Sequence, residues 1–255
     1  MKNPVLDEST EILLHRKESL LMHAGYLLLL SLFLVVVWPS RSYMYFFRIE
    51  NVPPVFLANA VFLVLLTGGF SFYLGLDRMA GGQAIRYVEW LERTNVPVRS
   101  LATGKILTGV VHTAFLVSLG APILIAAAGP SGVPLSVLPG LGLVVFLTAL
   151  ACRIAAMIVG HYGEESYVIR TVGIWVFAGL LFVLSLRIYR PINPIVAAVE
   201  QIAVGAPGAI GGIQQGAGVA RAAGIIGLAA LIVVLCTAYW FSLRRHRIRA
   251  IRRRG

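Results

Sequence analysis

Gly104 and Lys105 lie in "LATGKIL", a glycine–lysine pair ahead of a long apolar run, which is the way a phosphate-binding loop presents its lysine. That loop also needs a glycine five residues before the paired glycine and a hydroxyl after the lysine. Arg99 and Ile106 hold those two places, and no strand precedes them, so a nucleotide site is excluded. Ser71, in "GGFSFYLG", lacks the glycine two residues further on that a nucleophile elbow requires. The 5 histidines are scattered, with no His-x-x-x-His pair to grip a metal. Glu164 and Glu165 are adjacent, which sends them to different faces of a helix, and they read as a solvated turn. Cys152 and Cys236 fall inside apolar runs and read as small buried hydrophobes. The chain therefore has no catalytic motif of its own, and no metal set or cofactor is implied.

Two residues resist that bland account. Arg153 sits within "ALACRIAAMIVG", about 10 Å of helix from Gly160. A charge inside an apolar span is a functional candidate by default. Its guanidinium either reaches the headgroups or a neighbouring helix, or it lines a polar path. Ala151, Ala155 and Ala156 around it mark a close-packed helix face. His112, one or two turns inside the next-earlier apolar run, is either a bonded interhelical histidine or a proton relay. Asn59 and Thr67 carry packing roles.

The elements that must position these residues follow from composition. Of 255 residues, 58% are hydrophobic and 13% charged, and mean hydropathy is +0.83. Soluble domains carry about 25% charged residues. The fold class is an all-α integral membrane protein of one domain, 1–255, with six apolar segments at 20–38, 54–76, 106–128, 137–160, 168–186 and 222–243. Arg170 interrupts the fifth.

The net charge of +11 is unevenly spread. With both termini cytoplasmic, 16 of the 22 lysines and arginines face inward, 5 face outward (Arg41, Arg48, Arg187, Arg190 and Arg221), and Arg153 lies in a span. That bias sets the orientation. The basic tail, 244–255, is expected on anionic headgroups rather than nucleic acid. The leader, 1–19, sets Ile12, Leu13, Leu20 and Leu21 against Glu8, Glu11, Arg16, Lys17 and Glu18. It reads as an amphipathic interfacial helix or as a plain cytoplasmic leader. Its acidic start argues against a cleaved signal peptide. The outer segment, 187–221, is apolar but broken by Pro191, Pro194 and Pro207. It predicts short re-entrant or interfacial helices over 195–204 and 212–220.

The inner connection, 77–105, carries the most information. A short helix over 84–93 sets Tyr87, Trp90 and Leu91 beside Glu89 and Glu92, and Thr94, Asn95 and Pro97 stop it. A second helix starts near Val98 and runs into the third span, with Lys105 at the inner water boundary. Exposed aromatics and acids together make either a docking element or an interfacial anchor.

This connection resembles that of the permease subunits of ABC-2 type transporters. Their pattern reads approximately E-x-L-L-x-T-P-x-S, six residues, then G-K. Glu89, Leu91, Thr94, Gly104 and Lys105 fall in register without a gap. Asn95 stands where proline is usual, Pro97 follows two residues later, and "QAIRY" replaces an acidic Gly-Thr stretch. The resemblance implies that 84–93 is a coupling helix entering a cleft of a separate ATPase subunit. Tyr87, Glu89, Trp90, Leu91, Glu92 and Thr94 would form that contact, and Gly104 and Lys105 would mark membrane re-entry. It further implies two ATPase copies, a second permease (identical or similar), and outward transport across a bacterial or archaeal cytoplasmic membrane. The sparse charge of the spans leans towards lipid-like, glycan-linked or hydrophobic substrates. The alternative is a non-transporting membrane scaffold or assembly factor whose inner helix docks another protein. A secondary transporter is disfavoured, because the spans carry few ionisable groups to couple ions.

Overall fold

In hydrocarbon a chain must satisfy its backbone N–H and C=O groups within each segment, and every element among the described residues is helical. The computed structural model describes residues 17–38, 54–76, 97–162, 167–185, 192–203 and 214–254. Residues 1–16 of the leader expected over 1–19, and the helix expected over 84–93, lie outside the described residues.

The helices are α1 (Lys17–Val37), α2 (Pro54–Gly75), α3 (Val98–Ser131), α4 (Leu138–Tyr162), α5 (Tyr167–Ala178), α6 (Pro194–Ala203) and α7 (Gln214–Arg254). Among the described residues, five stretches, Ser19–Val37, Val55–Gly75, Val98–Ser131, Leu135–Gly160 and Ala222–Arg245, are long and apolar enough to cross a membrane. They fit a multi-pass membrane protein. The predicted fifth segment is helical too, but α5 has only 12 residues before the backbone widens into a π-helical run, Gly179–Leu184.

Helix α4 is the hub. It packs most extensively on α2, and also against α3, α5, α6 and α7, whereas α1 packs chiefly on α2 and α3. Of the membrane window of α4, 67% is inside the protein, against 17% for α1 and for α7. Large apolar side chains point outward, including Leu21 and Val36 of α1 and Trp175 of α5, each at least 70% exposed. The buried face of α1 instead carries Ser19, His23, Tyr26 and Leu30, at spacings that share one helix face. A helix with its apolar side outward and polar side inward is built for lipid.

Helix α3 starts directly after Pro97 and runs for 34 residues, about 51 Å. It ends at Gly132, whose φ of 65° is left-handed, with Val133 N–H donating to Ala128 O at 3.2 Å. Pro134 and a 3₁₀ turn, Leu135–Val137, then lead into α4, making a tight hairpin.

One expectation changes. The stretch 212–220 is not a separate short helix in its described part, 214–220, because these residues are the first turns of the 41-residue α7. No proline follows Pro207, and interior glycine costs a helix about 1 kcal/mol where proline costs about 3. The apolar stretch expected over 222–243 is found at Ala222–Arg245, and its helix continues through the basic tail to Arg254. The helix expected over 195–204 is present as α6.

Candidate functional site

Polar side chains from α1, α3 and α4 meet at one end of the bundle, at the start of α1, the first half of α3 and the second half of α4. Arg153 Nη1 donates to His112 Nδ1 at 2.8 Å. His112 Nε2 lies 2.8 Å from His23 Nε2, and His23 Nδ1 lies 3.5 Å from Ser19 Oγ. All four residues are buried, with His112 at 3% exposure and Arg153 at 7%. The two imidazoles meet edge to face, with centroids 5.0 Å apart and planes at 63°, and Phe115 closes the edge of His23 at 5.1 Å.

Small residues make this reach possible. A Cβ on Gly109 would stand 3.1 Å from Arg153 Cδ and 3.3 Å from Nε, so the bare helix face lets the arginine stem pass α3. On the opposite flank, a Cβ on Gly75 would fall 2.5 Å from Arg153 O and 2.7 Å from Ala156 Cβ. Ala151 and Ala156 are fully buried and Ala155 nearly so. The α2–α4 crossing at Arg153 is thus as close as two backbones allow.

Arginine can only donate and stays protonated, so His112 Nδ1 is an acceptor. Its Nε2 then carries the ring proton and donates to His23 Nε2. His23 in turn is protonated at Nδ1, facing Ser19. One arginine fixes both tautomers, and the chain runs in a single direction from Arg153 to Ser19. It is no proton wire, because its inner terminus cannot give up a proton.

One turn beyond His23, Tyr26 Oη lies 2.9 Å from Thr67 Oγ1 and donates to Leu116 O at 3.2 Å, tying α1 to both α2 and α3. Gly120 keeps space for it, since a Cβ there would come 3.2 Å from that hydroxyl. Asn59 Nδ2 donates to Val55 O of its own helix at 2.8 Å. Cys152 is enclosed by an apolar cluster with Phe72, Ala155 and Leu181, and Cys236 is half-buried.

A second polar knot gathers on Asn193, directly ahead of α6. Asn193 is fully buried. Its Oδ1 accepts from the N–H groups of Ile195 and Val196 at 2.9 and 3.1 Å, with Pro194 at the first helical position. Its Nδ2 donates to Phe182 O and Ser185 Oγ, both at 2.9 Å. One side chain therefore caps α6 and serves a carbonyl left by the widened π turn. Gln201 seats against Gly140, where a Cβ would come 2.5 Å from Oε1. Burial holds the Glu200 carboxyl on α6 above the usual glutamate range.

Of the residues singled out from sequence, His112 and Arg153 are brought together. Gly104 is buried and Lys105 half-buried in the second turn of α3, inside a helix rather than a loop. Tyr87, Glu89, Trp90, Leu91, Glu92 and Thr94 lie outside the described residues. Sequence reasoning passed over His23, Tyr26 and Asn193. The spacing of Ser19, His23 and Tyr26 on one face of an apolar helix was a readable signal, as was the Asn193-Pro194 pair. Among the described residues, no three His, Cys, Asp or Glu side chains converge to hold a metal ion. No protein-family model matches the chain, and no curated protein matches it. The family resemblance accordingly rests on the spacing from Glu89 to Lys105 and the arrangement of apolar segments.

Proposed function

We propose that the chain is the permease subunit of an ATP-driven exporter of the ABC-2 type, with six spans and both termini cytoplasmic. A separate ATPase subunit, in two copies, supplies hydrolysis, and a second permease completes the pathway. The observation that carries this reading is the Glu89–Lys105 spacing leading straight into an unbroken 34-residue helix. A push on the segment before Val98 would enter a continuous helix whose interior prolines, Pro122 and Pro130, lie beyond His112. His112 on that helix is bonded to both α1 and α4, so its movement would reach three helices together. Nucleotide must bias two states of the helix differently for transport to occur. The sparse charge of the spans suits a lipid-like, glycan-linked or hydrophobic substrate.

The test is co-purification of the full chain with an ATPase encoded beside it, before and after changing Glu89 and Trp90 together to alanine. Loss of the complex, with retained folding of the permease, supports the coupling assignment. A doubly changed protein that still binds the ATPase and sustains full hydrolysis refutes it.

A further inference from the structure

The polar chain at the start of α1 has a property that a mere packing contact lacks. Every ring nitrogen in it is committed. His112 Nδ1 accepts from Arg153, the two Nε2 atoms share one proton, and His23 Nδ1 holds the remaining ring proton opposite Ser19. An additional proton therefore has no lone pair to join while the chain is closed. It can bind only after one of two bonds opens. The Arg153–His112 bond has a charged donor, whereas the His112–His23 bond joins two neutral rings and is the weaker. Opening falls on the ring–ring bond, which is the one that joins α1 to α3.

We propose that His23 and His112 form a proton-released latch between α1 and α3. A proton from water at the near end of the bundle adds to His23 Nε2, leaving that water as hydroxide or hydronium as water. The imidazolium then presents an N–H towards the N–H of His112, and two donors cannot remain 2.8 Å apart. The new charge also faces the nearby guanidinium of Arg153. His112 stays bonded to Arg153, and α1 swings away about the Tyr26 contacts. Helix α1 is suited to this, since only 17% of its membrane window is buried.

Other groups on the packed elements do not supply a competing switch. On α1, Lys17 and Glu18 precede Ser19, and Tyr26 is engaged with Thr67 and Leu116. On α2 the titratable residue is Tyr73, which is 48% exposed. On α3, Arg99 and Lys105 lie nearer the helix start, with Lys105 two turns before His112. On α4, Cys152 faces Gly68 of α2, its Sγ 3.4 Å from where a Cβ would stand. On α7, Tyr239 is packed with Leu150, Ile154 and Met157, and Cys236 lies against the same cluster. Glu200 belongs to α6, which meets the first turns of α4 far from Arg153.

The experiment is solid-state NMR of the full chain, labelled with ¹⁵N-histidine, in phosphatidylcholine–phosphatidylglycerol vesicles between about pH 8 and about pH 5. The signals are assigned with His23→Gln and His112→Gln, either of which identifies the pair by the coupling it removes. At the upper pH, one ring is expected with a bare Nδ1 and the other with a bare Nε2, and a nitrogen–nitrogen coupling links them. On acidification one ring takes a second proton and the coupling disappears. In His23→Gln the amide oxygen accepts from His112 without taking a proton, so the His112 tautomer should hold across the range. Identical tautomers on both rings, or a coupling that persists at the lower pH, overturns the proposal.

Discussion

Replacing Gly75 with alanine tests how closely α2 and α4 cross at the arginine. The added Cβ would stand 2.5 Å from Arg153 O and 2.7 Å from Ala156 Cβ. Carbon atoms settle at about 3.5 Å, so the helices must part by roughly 0.8 Å. Overpacking of that kind costs about 1–3 kcal/mol, offset by about 0.5–1 kcal/mol because alanine favours the helix over glycine. The net change against the wild type is thus about 0–2.5 kcal/mol, but the helix-propensity gain is common to any glycine-to-alanine control, so the difference from such a control is about 1–3 kcal/mol, or roughly 2–12 °C in Tm at about 2–4 °C per kcal/mol. Gly69→Ala, on the same helix with nothing within 4 Å of its Cβ, is the control and should be neutral or slightly stabilising. Thermal melts of both variants in the same detergent, each against the wild type, give the comparison. A parting of 0.8 Å carried into the Arg153 turn would also stretch its 2.8 Å bond to His112 beyond hydrogen-bond range, at about 3.6 Å. The ring–ring NMR coupling of His23 should then weaken in Gly75→Ala. A Gly75→Ala protein that melts with Gly69→Ala would refute the close crossing, and with it the account of how Arg153 is positioned.

Three further outcomes are expected. Asn193→Ala should cost about 1–2 kcal/mol in a melt by uncapping α6, and Asn193→Asp should recover only the cap, since a carboxylate repels Phe182 O where the amide donated. Tyr26→Phe leaves Thr67 and Leu116 O without that partner, and should cost about 0.6 kcal/mol, the average for interhelical hydrogen bonds in membranes. Glu200 holds its proton more tightly when folded than unfolded, so stability should fall as pH rises from the ordinary glutamate range up to the raised value; Glu200→Gln should flatten that slope in melts taken across it.

Much of the fold was legible because hydrocarbon leaves a chain few choices. Long apolar runs, Pro97 before Val98, and Asn193-Pro194 before a short apolar stretch each specify a local event, and each is found. The errors arose where the signal is graded. Glycines at 216 and 218 weaken a helix without ending it, so the stretch expected as a separate short helix is the start of α7. The fifth segment has the composition of a span, yet its backbone widens at Gly179, a choice coupled to Asn193, which lies beyond the segment and donates to Phe182 O and Ser185 Oγ within it.

By itself the sequence determined that the chain is helical and apolar, which way its charge is biased, and that Arg153 and His112 required an explanation. Only the tertiary structure decided what they do to one another. Residues 23, 112 and 153 lie on three helices, and no periodicity within one helix reports the rotation of the next. That rotation is set by where small residues, Gly75 and Gly109 above all, let backbones and stems approach. Once they do, an arginine that can only donate orders two histidine tautomers and ties the largely exposed α1 to the most buried helix, α4.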